Sequence, residues 1–272
     1  MSGESVLRFE DVCLWFGETP GLDHVSFEIA AGESRIIYGA AGSGKTTLLK
    51  TALGLLTPDS GRIFVFGEDV TGLKESAWFG IRARMGMLFQ EGGLFDSMTV
   101  GENVAYPVVN SLAYRRARHE ANGEVQDKVR EVLRFVDLEQ TFDKVPSELS
   151  GGMRRRVGIA RAIVTEPPLV LYDSPTAGLD PITANTIVTL ILKERDLRNA
   201  ASLFVTHRFQ DGHLMAKFRY NPSSGQIEAA SQDGDKPGRT KFFVMNGGRL
   251  VFTGTLAELQ IAEDPYVRKF AK

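Results

Sequence analysis

The chain has 272 residues, which at about 150 residues per domain fits one large domain or two small ones. Hydrophobic residues make up 43% and charged residues 24%, ordinary globular usage that excludes collagen-like and disordered readings. The formal charge of −2 leaves no global basic field to attract nucleic acid or anionic lipid, and Cys13, the only cysteine, excludes an intrachain disulfide and suits a reducing compartment.

No apolar run approaches the roughly 18 residues needed to span a bilayer. The start, Met1-Ser2-Gly3-Glu4, has no basic region followed by an apolar one. The expectation is a chain that is neither secreted nor membrane-spanning but is able to dock on a membrane protein. A strand is predicted from Val6 to Leu14, where Leu7 and Phe9 alternate with charged neighbours before Val12 and Leu14 take up the other phase. A turn near Gly17 and Pro20 leads to a second strand through Val25, Phe27 and Ile29. After Ala31-Gly32 comes a short buried strand, Arg35 to Tyr38. The pattern turns helical from Thr46 to Leu55 and is broken at Thr57 to Gly61. Strands then alternate with helical segments as far as His207, as in a parallel α/β core.

Two stretches interrupt that core. Residues 98–147 read as an inserted helical subdomain, with a capping box at Thr99 to Glu102 and a second helix from about Glu124 to Val136. Asn221 to Lys241, rich in Ser, Gly, Asp and Pro, reads as a solvated hairpin and loop. A β-hairpin follows, Lys241 to Met245 and Arg249 to Phe252 joined at Asn246-Gly247-Gly248, and Thr255 to Glu258 is another capping box. The whole chain, 1–272, is expected to be one domain. Its core occupies about 1–97 and 148–256, the helical part 98–147, the extended loop 219–241 and the tail 257–272.

Gly39-Ala40-Ala41-Gly42-Ser43-Gly44-Lys45-Thr46 matches the phosphate-loop pattern G-x-x-x-x-G-K-[ST], after an apolar strand and before a helical pattern. Such a loop turns backbone N–H groups inward on phosphate, and the helix start adds partial positive charge. Lys45 is expected to reach the β- and γ-phosphates of a nucleotide and Thr46 to hold Mg²⁺, with Thr47 beside it. Leu169 to Asp173 is an apolar strand ending in a carboxylate, expected to lie beside that loop and hold Mg²⁺. Between the two motifs lies Leu149-Ser150-Gly151-Gly152-Met153. Ser150 caps a helix whose Gly-Gly start is poor for helix stability but good for close approach to an anion.

With these residues in order, residues 6–256 resemble the ATP-binding-cassette (ABC) ATPases, whose signature LSGGQ is matched here except for Met153 in the last place. The resemblance implies an α/β, P-loop NTPase ABC-ATPase fold: an N-terminal antiparallel β region, a RecA-like parallel core and an inserted α-helical subdomain. It implies ATP and Mg²⁺ as ligands. Phe16 stands where the family stacks an aromatic on adenine; Trp15 is the neighbouring candidate, and either could be plain core. Gln90 matches the Q-loop glutamine that contacts Mg²⁺ and the attacking water. Ala177-Gly178-Leu179-Asp180 matches the D-loop, and His207 the switch histidine near the γ-phosphate, against the structural role common for a lone His after a strand. The family holds its nucleotide between two chains, which implies a homodimer with the phosphate loop of one copy facing Ser150, Gly151 and Gly152 of the other.

The family places Glu directly after the Mg²⁺ aspartate, whereas this chain has Ser174. A hydroxyl does not accept a proton at neutral pH as a carboxylate does. Either the chain is a nucleotide-gated clamp or hydrolysis proceeds slowly, because phosphoryl transfer depends mainly on positioning and electrostatics. Lys45, Gln90, Asp173 and His207 would then carry it, with Ser174 in the place of the base.

Met85 to Val100, with Asn103-Val104-Ala105-Tyr106-Pro107, is similar to the ATPases of mammalian-cell-entry (MCE) lipid transporters; Met153, Asp180 to Thr183 and Asp264 to Phe270 fit that group. This implies lipid transport through a separate permease, an MCE-domain protein in the same complex, no nucleic acid, and a peripheral place on the cytoplasmic face of the inner membrane. A lipoprotein-release or small-solute cassette is the alternative within transport. Arg115, Arg116 and Arg118 read as a solvated helix face. Arg154 to Arg156 read as surface solubility, with orientation of the signature helix as the alternative.

Overall fold

The computed structural model describes residues 5–90, 92–111, 122–230 and 239–272. The chain opens with two long strands, β1 (Ser5–Phe16) and β2 (Thr19–Ala30), paired antiparallel. The phase change in β1 is a bulge. Phe9 pairs with Phe27 but Val12 with Val25, so β1 uses one residue more than its partner. Asp11 takes up the extra residue at φ 51°, and its N–H donates to Ser26 Oγ at 2.8 Å. Both halves of β1 thereby keep their apolar side chains on the buried face.

Next come β3 (Ser34–Gly39), α1 (Lys45–Ala52), β4 (Ser60–Val65), β5 (Glu68–Asp69), α2 (Glu75–Arg82) and β6 (Met85–Leu88). The strand after Gly61 differs from expectation. β4 pairs antiparallel with β1, Leu7 opposite Val65 and Phe9 opposite Ile63, and so joins the first sheet, in the order β2-β1-β4-β5. The physical reason is its one-sided pattern. Ile63 and Val65 are buried while Arg62 and Phe64 are not, which suits an antiparallel sheet with one wet face.

The helical part contains α3 (Val100–Val109) and α4 (Asn122–Phe135). The capping box is formed as expected: Glu102 N–H donates to Thr99 Oγ1 at 3.2 Å and Thr99 N–H to the Glu102 carboxylate at 2.7 Å. Arg115, Arg116 and Arg118 lie outside the described residues. The core then resumes with α5 (Gly151–Ile163), β7 (Leu169–Asp173), α6 (Pro181–Arg198), β8 (Ala201–Val205) and α7 (Phe209–Lys217). The expected solvated hairpin is β9 (Phe218–Asn221) with β10 (Gln226–Ala229); residues 231–238 of that loop lie outside the described part. β11 (Thr240–Asn246), β12 (Arg249–Gly254) and α8 (Leu256–Gln260) follow, and the tail ends in a 3-10 turn, Val267–Phe270.

The central sheet runs β12-β11-β3-β8-β7-β6, parallel except at β12. Its side chains alternate between two cores. Ile36, Tyr38, Val170, Tyr172 and Phe204 face the helices α3 to α7, while Ile37, Leu169, Leu171, Leu203 and Val205 face α1 and the antiparallel sheet. With both faces covered, β3, β7 and β8 are buried at every position, the continuous apolar pattern of a parallel sheet. The carboxyl ends of these three neighbouring strands converge, and there such a sheet places its ligands. No helix among the described residues is long and apolar enough to cross a membrane.

Candidate functional site

β3 delivers Gly39 to a loop that returns at Gly44, the N-cap of α1 at φ 105°. Both glycines are needed for close approach. A Cβ on Gly39 would lie 2.4 Å from Ser43 Oγ and 2.6 Å from the Met245 carbonyl, and one on Gly44 2.5 Å from the Gly21 carbonyl. The Lys45 ammonium folds back into this loop, donating to the carbonyls of Gly39 at 2.9 Å and Ala40 at 2.7 Å and to Ser43 Oγ at 3.2 Å. Burial lowers its pKa, and Asp173 pulls it back up. Ala40, Ala41, Gly42 and Thr46 are exposed around it, and Thr47 is half-buried.

Asp173 at the end of β7 is buried, and burial raises its carboxyl above the usual range; Ser174, Lys45 and His207 each act the other way. A buried carboxylate held at this cost, with a lysine near and the Thr46 hydroxyl exposed, fits a site for a divalent cation. His207 follows β8 by two residues. Its pKa is lowered, by burial first and Lys45 second, with Asp173 opposing, so it is neutral at pH 7. Lys45, Asp173 and His207 therefore form one electrostatic cluster.

Ser174 is buried in the left-handed region at φ 49°. Its N–H donates to the Val205 carbonyl at 3.0 Å, and its hydroxyl reaches Asp173 Oδ1 at 3.4 Å as a donor. In that role it is not a proton acceptor. Gln90, two residues past β6, is exposed. Phe16 and Trp15 are both exposed, at 53% and 45%, so the core alternative is overturned for each. Phe16 stacks its edge near α1: a Cβ on Gly21 would lie 2.7 Å from Phe16 Cε2 and 3.1 Å from Thr47 Cγ2. The aromatic candidate is thus beside the loop.

Ser150, Gly151, Gly152 and Asp180 make a second group. Ser150 Oγ accepts the Met153 N–H at 3.3 Å and caps α5; Gly151 faces open space; Gly152 packs on Thr183. Asp180 is spent on the start of α6, accepting from the N–H groups of Ile182 and Thr183 at 3.0 Å and from the Thr183 hydroxyl, which holds its carboxyl below the usual range. Sequence reading gave Asp180 a ligand role and missed the cap, although Asp before Pro181 at a helix start is the signal for it.

Two further residues escaped the sequence. Arg155 is buried and donates to the carbonyls of Phe89 at 3.3 Å and Ala177 at 3.2 Å, tying the chain before Gln90 to the chain before Asp180. Arg154 donates to Leu149 and Arg156 to Val136. The surface-solubility reading is therefore corrected for Arg155, which is buried and helps orient the start of α5; Arg154 is exposed and Arg156 half-buried. The second residue is Asp211 on α7, fully buried, whose Oδ2 accepts the hydroxyls of Thr176 at 2.5 Å and Thr206 at 2.6 Å. One carboxylate thus fixes both the loop after Asp173 and the loop carrying His207.

This order of strands, with the glycine-rich loop of residues 39–46 after β3 and the carboxylate ending β7, is the ABC-ATPase fold. The model of the ABC transporter family matches residues 22–177, more than half of the chain, and the chain belongs to that family. It is 38% identical over 192 residues to the probable ribonucleotide transport ATP-binding protein mkl of Mycobacterium leprae, covering 71% of this chain and 54% of that one. It is 34% identical over 217 residues to the intermembrane phospholipid transport system ATP-binding protein MlaF of Haemophilus influenzae, covering 80% of each. The methionine import ATP-binding protein MetN of Rhizobium etli is 37% identical over 209 residues, 77% of this chain and 56% of that protein. The chain thus spans about half the length of two of these relatives and most of the third. Among solved structures, a dimeric ATP-binding cassette in a post-hydrolysis state with ADP and Pi superposes with TM-score 0.75 at 25% identity, covering 92% of this chain and 98% of that one.

Proposed function

We propose that the chain is the ATP-hydrolysing subunit of a lipid transporter whose membrane part is a separate permease. The observation that carries the ATPase part is the single cluster of Lys45 at the start of α1, Asp173 at the end of β7 and His207 just past β8. Lys45 holds phosphate charge, Asp173 and Thr46 hold Mg²⁺ with Gln90, and neutral His207 donates a hydrogen bond toward the γ-phosphate. Mg²⁺ supplies charge neutralisation for the leaving phosphate. Phe16 offers a face for adenine. The N-termini of α1 and, from a second copy, of α5 are short of acid and suited to anions, so the working unit is a homodimer with two shared sites. With no carboxylate at Ser174, hydrolysis is slow.

Lipid, in particular phospholipid, is favoured as cargo by the MlaF likeness, which covers four-fifths of both chains, and by the stretch from Met85 to Pro107. Support for the permease is a groove lined by Met87, Phe89, Phe95, Tyr106, Pro107 and Arg161, with three exposed aromatic rings. An MCE-domain protein and a peripheral place on the cytoplasmic face of the inner membrane complete this reading. The names of mkl and MetN favour a small-solute cassette instead.

The test is Mg²⁺-dependent ATP hydrolysis by the chain, alone and with its permease, against Lys45→Ala and Ser174→Glu. Slow turnover that vanishes in the first and rises in the second supports a motor short of its base. Tight ATP binding without any turnover in the native chain makes it a nucleotide-gated clamp. Stimulation of turnover in the permease complex by phospholipid, and not by methionine or ribonucleotides, separates the cargo readings.

A further inference from the structure

The phosphate loop is held from outside by the C-terminal tail. The Tyr266 hydroxyl accepts the Ala40 N–H at 3.0 Å and donates to the Met245 carbonyl at 3.0 Å. Met245 ends the pairing of β11 with β3, opposite Gly39, so one hydroxyl joins the loop to the neighbouring strand. The tail is fixed for this contact. Asp264 Oδ1 accepts the N–H groups of Tyr266 at 2.7 Å and Val267 at 3.2 Å, and Val267 is buried. The Phe270 ring stacks on Tyr38, the last side chain of β3, at 6.0 Å and 9°, and meets Tyr266 edge-on at 5.4 Å.

The direction of the contact decides what it does. No peptide bond of the described chain is cis, and in a trans peptide the C=O and N–H point opposite ways. The Gly39 carbonyl points at the Lys45 ammonium, the group that the proposed function turns toward phosphate. The Ala40 N–H of that same peptide therefore points away from the phosphates, and there Tyr266 meets it. The hydroxyl does not compete with a nucleotide; it sets the plane of the peptide against which Lys45 rests.

We propose that Tyr266 is a positioning residue for ATP, a brace from the tail that pre-orients the Gly39–Ala40 peptide and through it Lys45. This rests on the reading of residues 39–46 as the phosphate loop. The brace makes the tail a control point. Because coupling is reciprocal, whatever draws the tail off the loop weakens ATP binding, and ATP tightens the tail by the same factor.

Tyr266→Phe removes the hydroxyl and keeps both ring contacts. One hydrogen bond of ordinary net strength corresponds to about a three- to tenfold change in an equilibrium. The expected result is a rise of that size in the Kd for fluorescent ATP, with the nucleotide-free chain still folded and losing no more than about 1–2 kcal/mol for the two hydrogen bonds of the hydroxyl. Hydrogen exchange at residues 264–271 should slow with saturating ATP in the native chain and respond less in Tyr266→Phe. Equal or tighter ATP binding by Tyr266→Phe, or tail exchange indifferent to ATP, overturns the brace. Lys45→Ala is measured alongside: if it binds ATP like the native chain, the phosphate-loop reading itself has failed.

Discussion

The ends of β3 and β7 lie two strands apart in one sheet, yet they solve the same problem in different ways. After β3 the chain supplies most of its own solution, with Tyr266 of the tail as an added brace at the Ala40 N–H. The loop from Gly39 to Gly44 is made of small residues, its carbonyls hold the Lys45 ammonium, and α1 begins at once. After β7 the turn has backbone bonds of its own, Ala177 N–H to the Ser174 carbonyl at 3.1 Å and Leu179 N–H to the Thr176 carbonyl at 3.3 Å, but its side chains are settled from elsewhere. Asp173 is buried with its pKa raised, Ser174 sits at φ 49°, and the following turn is held by Asp211 from a helix more than thirty residues later. The β3 loop takes the Tyr266 brace from a distance, whereas the β7 turn rests on Asp211, and a turn held that way fails when its distant holder is removed.

Lys45→Ala is the largest expected effect. It removes a buried cation from the loop and, on the proposed function, a charge-assisted contact from the nucleotide, which corresponds to about a hundredfold in the Kd for ATP, or ~2.7 kcal/mol. The loop carbonyls of Gly39 and Ala40 are near solvent at exposed Ala40, so the unfolding midpoint should move little. A large loss of stability in Lys45→Ala would break the comparison, because the β3 end would then depend on its ligand-binding lysine for folding.

Asp211→Ala sharpens the other side. It leaves the Thr176 and Thr206 hydroxyls without their shared acceptor, and burial had already raised the Asp211 pKa, so part of the loss is returned. The net expectation is about 2 kcal/mol of stability by urea unfolding. ATP hydrolysis should fall with it while ATP affinity, set at the β3 end, stays within about threefold. Affinity falling as far as in Lys45→Ala would mean that the two ends are not separable.

These two residues also show what was legible. The glycine turn at Gly44 into α1, the capping boxes at Thr99 and Thr255, the cap at Ser150 and the β11–β12 hairpin were all readable, because each is a short-range pattern whose physics is complete within a few residues. The parallel core was readable from continuous apolar runs. The antiparallel place of β4 was not, since one strand's alternation does not name its partner. Arg155, Asp211 and Tyr266 were not, because their partners lie 22, 35 and 226 residues away. Asp180 carried its cap signal openly, next to Pro181, and was overlooked in favour of a ligand role.

A third effect concerns the charge behind β7. Glu194 on α6 is buried, its carboxylate oxygens have no hydrogen-bond partner among the described residues, and Arg198 Nε stands 3.5 Å away. Burial pushes its pKa up to about 7 from 4.5, against the pull of Arg198. A carboxyl raised on folding contributes stability that is present at low pH and lost as pH climbs through the folded value. Between pH 6 and pH 8 this loss is about 1 kcal/mol. Glu194→Gln should flatten the pH dependence of urea unfolding by that amount over that interval. An unchanged slope would show that Glu194 keeps its ordinary pKa and that β7 carries no hidden charge cost.

The smallest effect tests whether strain or contact governs the β7 end. Ser174→Gly relieves the left-handed backbone at φ 49°, worth about 1 kcal/mol for a residue with a Cβ. It also frees the unfolded chain, at a cost of about 0.5–1 kcal/mol. The hydroxyl contact to Asp173 is long, 3.4 Å, and adds little. The terms oppose, so the unfolding free energy should stay within about 0.5 kcal/mol of the native chain. The chemistry should move as little, because a hydroxyl that donates to Asp173 was never a base. A loss above ~1.5 kcal/mol would assign the stability of this end to the Ser174–Asp173 contact, and a large fall in hydrolysis would make the hydroxyl a functional group in its own right. With both quantities unmoved, the position tolerates replacement, and a gain of activity in Ser174→Glu reports the carboxylate alone.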